Sequence, residues 1–293
     1  MNVQFLPCAL EIYNTMKIFE KKSDLIKHLQ SLSTTIGFVP TMGALHQGHL
    51  ALVQASLRDN RQTVVSIFVN PIQFGNADDL KKYPRTLIHD VQLLKNLDNN
   101  IIVYYPSASD FYDGNIKSDH FDFDELEFEM EGKHRPGHFD GVGTVVKKLF
   151  EIVQPNKAYF GEKDFQQLQI IKKLVEKEKM SIDIIPISIY REDDGLAMSS
   201  RNQRLTFEHR AVAPYIYETL QKAKELFATK NINEVKKFVT KKIADNPLLK
   251  LEYFEIADEK TLKSAIEKKV GNNYRGFIVV FAGEIRLIDN IAL

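Results

Sequence analysis

The chain has one cysteine, Cys8, among its 293 residues. It therefore cannot close an internal disulfide, which fits a reducing compartment. Charge of neither sign is in excess, since 39 lysines and arginines balance 39 aspartates and glutamates. A dedicated nucleic-acid binder needs a basic surface to displace counterions, so the balance argues against that class, although it leaves room for a local basic pocket. No apolar run approaches the roughly 20 residues that span a bilayer. Together these absences point to an enzyme-sized cytoplasmic chain without a membrane or nucleic-acid partner. The opening stretch MNVQFLPCALEIYNT also lacks a basic head and a long apolar core, so it makes a poor signal peptide. Met16 begins MKIFEKKSDLIKHLQSL, which reads as a short strand and an amphipathic helix. Residues 1–15 then read either as an extension from an upstream start codon or as an ordinary flexible terminus. Repeats and low-complexity tracts are missing too.

What is present is alternation. TIGFVP (35–40), TVVSIFV (63–69), NIIVYYP (100–106), KAYFG (157–161) and IDIIPISIY (182–190) read as strands, TVVSIFV the most β-branched and apolar of them. Between them, 48–58, 85–97, 141–153 and 164–179 carry helical spacing. Apolar strands separated by helices imply an α/β fold, a Rossmann-like parallel sheet with helices on both faces. Ligands of such sheets sit at the carboxyl ends of the strands, here Val39-Pro40 and Val69-Asn70-Pro71. After about Tyr190 the pattern changes. Residues 207–227 and 233–244 read as helices, and 251–258, 276–283 and 284–289 as strands of a small sheet whose last two are joined by a tight turn. The expected division is 1–15 as an extension, 16–190 as the Rossmann-like domain, and 191–293 as a smaller C-terminal α+β lid domain. The alternation in FDFDELEFEM (121–130) suggests a further strand, at an internal sheet edge or in an interface between copies.

Three clusters carry candidate chemistry. In VPTMGALHQGHLALV (39–53), Gly43 permits a sharp turn out of a strand, and His46 and His49 enter the start of a helix. Free amides and the dipole at a helix N-terminus attract anions, and Gly48 leaves room beside two histidines that can donate to phosphate oxygens. A tight turn with two surface histidines is the plain alternative. A metal pair is weaker, because no third ligand or catalytic glutamate accompanies them. The second cluster, DDGLAMSSRNQRLT (193–206), offers Ser199, Ser200 and Arg201 as donors suited to a polyphosphate, or else forms a polar linker capped by serines. In the third, GEKDFQQLQ (161–169), Lys163 can neutralise a transferring phosphoryl group, or the stretch is a helix start with Asp164 near its cap.

PTMGALHQGH resembles the H-I-G-H type signature of the nucleotidyltransferase superfamily, and MSSRN resembles its K-M-S-K-S type signature. With VNPIQFG (69–75), YPRT (83–86), HRPGHFDGV (134–142) and GEKDFQQ, they resemble the pantothenate synthetase family from Met16 onward. The resemblance implies condensation of pantoate with β-alanine, with ATP as co-substrate and pantoyl adenylate as intermediate. It implies that His46 and His49 contact the ATP phosphates and that Lys163 bridges phosphate and carboxylate oxygens. Ser199, Ser200 and Arg201 are then expected on the β- and γ-phosphates. Gln73 and Gln167 are expected on pantoate, and Pro40, Thr41, Met42, Gly48, Gly161 and Asp164 along the nucleotide, with Met198 near the adenine. Mg2+ is expected with ATP, held mainly by phosphate oxygens and water, with Asp90 as its candidate protein partner. Arg135 is a candidate for closing the pocket, or else a surface residue. A homodimer is implied as well.

Two departures from the family pattern stand out. Gln47 replaces a frequent glutamate, and Gly143 replaces another small residue, where close approach to ligand is one reason to need glycine. A related adenylyltransferase shares the histidine motif but does not need VNPIQFG and GEKDFQQ together. An aminoacyl-tRNA synthetase needs a tRNA-binding domain that the near-neutral C-terminal residues do not offer. A nucleotide-binding regulator without catalysis has no need of His46, His49, Lys163 and Arg201 together.

Overall fold

The computed structural model describes residues 16–74 and 77–293. The N-terminal segment read as an extension, and Gly75 of the VNPIQFG motif, lie outside the described residues. The chain divides into two compact units. One holds the described residues up to Phe123 together with Arg135–Gly161 and Ile170–Ile187; the other holds Asp124–His134, Glu162–Gln169 and Ser188–Leu293. Segments 124–134 and 162–169 precede Tyr190 in sequence, yet they group with the C-terminal residues.

The first unit is built on a six-stranded parallel sheet: β1 (Lys17–Phe19), β2 (Ile36–Thr41), β3 (Gln62–Ile67), β4 (Ile102–Tyr104), β5 (Lys157–Gly161) and β6 (Asp183–Ile187). Its order is β1-β4-β3-β2-β5-β6, so the winding reverses between β2 and β5. That reversal point is where such sheets bind ligands, just beyond the strand ends. Successive strand residues point to opposite faces. Val39, Val65, Ile67 and Val103 therefore pack with Leu50 and Val53 of the Gln47–Asp59 helix and Leu94 of the Leu87–Leu97 helix. On the other face, Phe150 of the His138–Val153 helix meets Phe38 edge-on, with ring centroids 6.2 Å apart. Pro186 is accommodated because β6 is an edge strand, where a missing N–H breaks no ladder bond.

The second unit carries an antiparallel sheet of β7 (Leu249–Asp258), β8 (Tyr274–Ala282) and β9 (Ile285–Ala292). Gly283, at φ +59°, turns β8 into β9, and Ala282 pairs with Ile285 across the tight hairpin. The helices Tyr215–Phe227 and Ile232–Ala244 bury Leu220, Ala223, Val235 and Val239 against Ile256, Ile278 and Val280. Asn231 begins the second helix with a capping box, accepting from Glu234 N while Glu234 accepts in return.

Three expectations change. Residues 207–227 form two helices, Phe207–Val212 and Tyr215–Phe227, because Pro214 cannot donate into a continuous ladder. FDFDELEFEM is not a strand. Asp124 and Glu125 adopt left-handed φ values of +56° and +70°, and Leu126–Phe128 forms a 3-10 turn. Its alternation arises because Phe121 and Phe123 are both buried outside any sheet. Gly143 is explained by the same pair: a Cβ there would meet the Phe121 and Phe123 rings at 2.9 and 3.0 Å. Close packing, rather than approach of a ligand, accounts for that glycine.

Candidate active site

Beyond β2 the chain reverses through Gly43 at φ +82° and Ala44 at φ +49°. Thr41 begins the turn: its hydroxyl donates to Ser66 O at 2.7 Å and accepts from Gly43 N at 3.2 Å. Asp90, fully buried, closes it. Oδ2 accepts from Ala44 N at 3.0 Å, Oδ1 accepts from Leu45 N at 2.8 Å, and the Thr86 hydroxyl donates to both oxygens at 3.1 and 3.2 Å. Burial pushes the Asp90 carboxyl upward, against the opposing pull of those amides and that hydroxyl. Asp90, the expected protein partner of magnesium, thus spends both oxygens on bracing the turn. Among the described residues, no group of three or more His, Cys, Asp or Glu is placed to hold a metal ion.

The clamped turn delivers His46 as the N-cap of the Gln47–Asp59 helix, which places Gly48 and His49 in its first turn. The two imidazoles lie 4.0 Å apart between centroids. His49 Nδ1 accepts from His46 N at 3.4 Å. A neutral ring that accepts at Nδ1 carries its hydrogen on Nε2, so His49 Nε2 is a donor.

The end of β3 supplies the next group. Asn70, 1 % exposed, caps the 3-10 turn Pro71–Gln73. Its Nδ2 donates to Gln73 Oε1 at 3.1 Å and Gly141 O at 3.2 Å. Its Oδ1 accepts from Tyr112 OH at 2.6 Å. Gln73 Nε2 reaches Met42 Sδ at 3.1 Å, which joins the β2 end to the β3 end. The Gln73 backbone rests on the His138–Val153 helix: a Cβ at Gly141 would lie 3.0 Å from Gln73 Cα and N. His138 Nδ1 donates to Gln73 O at 2.9 Å, and Arg135 donates to the same oxygen at 3.3 Å and to His138 Nε2 at 3.2 Å. Arg135 thus supports Gln73 from behind. The first unit therefore assembles Met42, Asn70 and Gln73 into one network and the histidines onto one turn, with Pro40 and Gly161 at the ends of β2 and β5.

The second unit holds the rest. Lys163 and Asp164 lie in the 3-10 turn Glu162–Asp164, their charges 3.6 Å apart. Gln167 is half-buried, whereas its neighbour Gln166 is buried and structural. Gln166 Nε2 donates to Leu126 O at 2.9 Å and Glu129 O at 2.8 Å, and its Oε1 accepts from Glu131 N at 3.0 Å. Ser199 caps the 3-10 turn Ser200–Arg204, its Oγ accepting from Arg201 N at 3.3 Å. Ser200 is 6 % exposed, and Met198 N donates to Tyr190 O at 3.0 Å.

The family model described as pantoate-beta-alanine ligase matches residues 13–292. The chain belongs to the pantoate–β-alanine ligase family. It is 58% identical over 281 residues to the pantothenate synthetase of Flavobacterium psychrophilum, across 95% of this chain and 100% of that one. The Christiangramia forsetii pantothenate synthetase is 53% identical, covering 95% and 99%. Among solved structures, pantothenate synthetase from Thermus thermophilus superposes with a TM-score of 0.87 at 36% identity, covering 94% of this chain and 99% of that one. The ligase from Francisella tularensis, complexed with beta-gamma ATP and beta-alanine, gives a TM-score of 0.76 at 37% identity over 94% and 97%. The chain is thus an enzyme of this ligase family. Among the described residues no helix is long and apolar enough to cross a membrane.

Asn70, Tyr112 and His138 carry supporting roles that the sequence does not assign, although Asn70 lies at a marked strand end and His138 in the HRPGHFDGV motif. Asn70 offered one signal, a polar residue between an apolar strand and a proline. Tyr112 offered none, since its partner is 42 positions away.

Proposed function

We propose that the chain condenses pantoate with β-alanine, converting ATP to AMP and pyrophosphate through pantoyl adenylate. The observation that carries this reading is the family match across almost the whole chain, residues 13–292. A carboxylate does not acylate an amine until one of its oxygens becomes a good leaving group. In the first step a pantoate carboxylate oxygen attacks the α-phosphorus of ATP, and the bond to the bridging oxygen breaks, releasing pyrophosphate with its electron pair. In the second, the neutral β-alanine amine attacks the acyl carbon. The carbon–oxygen bond to AMP breaks, and the nitrogen gives up a proton.

Phosphoryl transfer asks the protein for alignment and charge neutralisation more than for covalent help. The Nε2 hydrogen of His49 and the ring of His46 are assigned to the phosphate oxygens on which charge develops. Lys163 is assigned to the transferring phosphoryl group and the attacking carboxylate. Arg201, with Ser199 and Ser200, is assigned to the departing polyphosphate. Gln73 and Gln167 orient pantoate, since side-chain amides can meet its hydroxyls and its carboxylate together. Pro40–Met42, Gly48, Gly161, Asp164 and Met198 are assigned to the nucleotide. The Thr41 hydroxyl is already spent on the turn, so the assignment there is to backbone. Magnesium enters with ATP as a counterion of the polyphosphate, held by phosphate oxygens and water. Work in the cytoplasm as a homodimer completes the proposal.

The test is product formation. With ATP, pantoate and β-alanine the purified protein is expected to release AMP and pantothenate in equal amounts. Leaving out pantoate is expected to abolish AMP release. Tight ATP binding without AMP release under full substrate would favour a non-catalytic nucleotide-binding regulator instead.

A further inference from the structure

Asn290 lies near the C-terminal end of β9, 2 % exposed, in a strand that sequence reasoning treated only as part of a sheet. Its Nδ2 donates to two backbone carbonyls, Glu162 O and Lys163 O, each at 2.9 Å. Its Oδ1 accepts from Arg275 Nη1 at 2.6 Å. The chemistry fixes which way the amide faces: a guanidinium only donates and carbonyls only accept, so the oxygen must meet Arg275 and the nitrogen must meet the turn. Arg275, 7 % exposed, is itself immobilised. Its Nε donates to Glu259 Oε1 at 2.8 Å, and its guanidinium carbon lies 4.0 Å from the centroid of the Phe165 ring. The preceding residue, Asp289, accepts from Arg191 Nη1 at 2.7 Å and Nη2 at 3.0 Å, and Arg191 also donates to Gly195 O at 3.1 Å. Two adjacent residues of one strand thus hold the lysine turn and the base of the loop that leads to Ser199–Arg201.

We infer that Asn290, held by Arg275, is a positioning residue that fixes the backbone of Lys163 for phosphoryl transfer. The inference rests on the reading of Lys163 as the lysine that neutralises the transferring phosphoryl group. A lysine side chain is long and carries about 2 kcal/mol of rotamer entropy. A misplacement of about 1 Å in a reacting geometry can cost about 100-fold in rate. Two hydrogen bonds onto the carbonyls that flank its Cα remove backbone freedom from the residue least constrained by its own side chain. Aspartate at this position keeps the shape and the Arg275 partner but has no donor, and it turns a negative oxygen towards two carbonyls. Asparagine is therefore required where aspartate would fit.

The test compares Asn290→Asp, Lys163→Ala and the double variant in steady-state pantothenate synthesis. Asn290→Asp is expected to lower kcat by about 10–100-fold, with KM for ATP and pantoate changed by less than about 3-fold, as for an interaction used in the transition state alone. In the double variant the second substitution is expected to add nothing, because the lysine that Asn290 positions is already gone. Should Asn290→Asp fail to fold, Asn290→Ser, which keeps one donor and adds no charge, is read in the same way. Wild-type kcat in the asparagine variant beside an inactive Lys163→Ala overturns the positioning role alone. Independent, multiplying losses in the double variant, or loss seen only in KM, overturn it also. Near-normal turnover of Lys163→Ala would instead remove the reading of Lys163 on which the inference stands.

Discussion

Lys163→Ala and His49→Ala are each expected to lower turnover by about 100–1,000-fold, the size of one lost contact to charge that develops in a transition state. Neither change is expected to cost much stability. The Lys163 side chain is partly exposed, and its ion pair with Asp164 spans 3.6 Å to a carboxylate that is 49% exposed. Such pairs are worth about 0–1 kcal/mol. The His49 side chain accepts from the His46 amide over a long 3.4 Å. The combination of a large kinetic loss and a small change in unfolding midpoint separates a catalytic role from a structural one. Measured kcat within a few-fold of wild type in either variant would remove that residue from the mechanism.

The opposite pattern is expected at Asp90. Asp90→Ala leaves the amides of Ala44 and Leu45 without their acceptor inside a buried turn. A buried unsatisfied donor costs about 1–3 kcal/mol, so the pair is expected to cost about 2–6 kcal/mol. The turn also holds Ala44 at φ +49°, a conformation that only a well-braced residue keeps. Activity is expected to fall as well, because His46 lies directly after the clamped segment. A magnesium ligand would behave differently: its loss would leave stability nearly unchanged and would be offset by raised magnesium. Denaturant unfolding of Asp90→Ala, with a magnesium titration of its activity, distinguishes the two. A stability loss below about 1 kcal/mol, with rescue by magnesium, would refute the clamp.

The features legible in the sequence are those written locally. TIGFVP and TVVSIFV announce buried parallel strands because their apolar residues run almost without interruption, and β2 and β3 appear where those runs lie. Gly43 announces a turn because φ +82° suits glycine. The histidine, lysine and serine–arginine clusters are legible for the same reason, since each sits within a few residues of a strand or helix end. FDFDELEFEM misled because alternate burial was mistaken for a strand, when two phenylalanines pack beside Gly143 without any ladder. What the sequence concealed is long-range. Asp90 clamps amides 45 and 46 positions earlier, and Asn290 reaches carbonyls 127 and 128 positions earlier. No periodicity encodes such pairings, and the residues that build the site's backbone are hidden in elements that read only as helix and strand.

Adenylation needs a carboxylate but not the amine, so the central claim reduces to one exchange reaction. Labelled pyrophosphate, ATP and pantoate are mixed with the enzyme in the absence of β-alanine, and label entering ATP is followed. Reversible formation of pantoyl adenylate predicts steady exchange that depends on pantoate. It also predicts no exchange with β-alanine in place of pantoate, because the cationic amine of β-alanine is costly to place where the proposed mechanism expects neutral hydroxyls. Rapid quench of the same mixture is expected to recover the adenylate itself. Absence of both exchange and adenylate until β-alanine is added would contradict the two-step account.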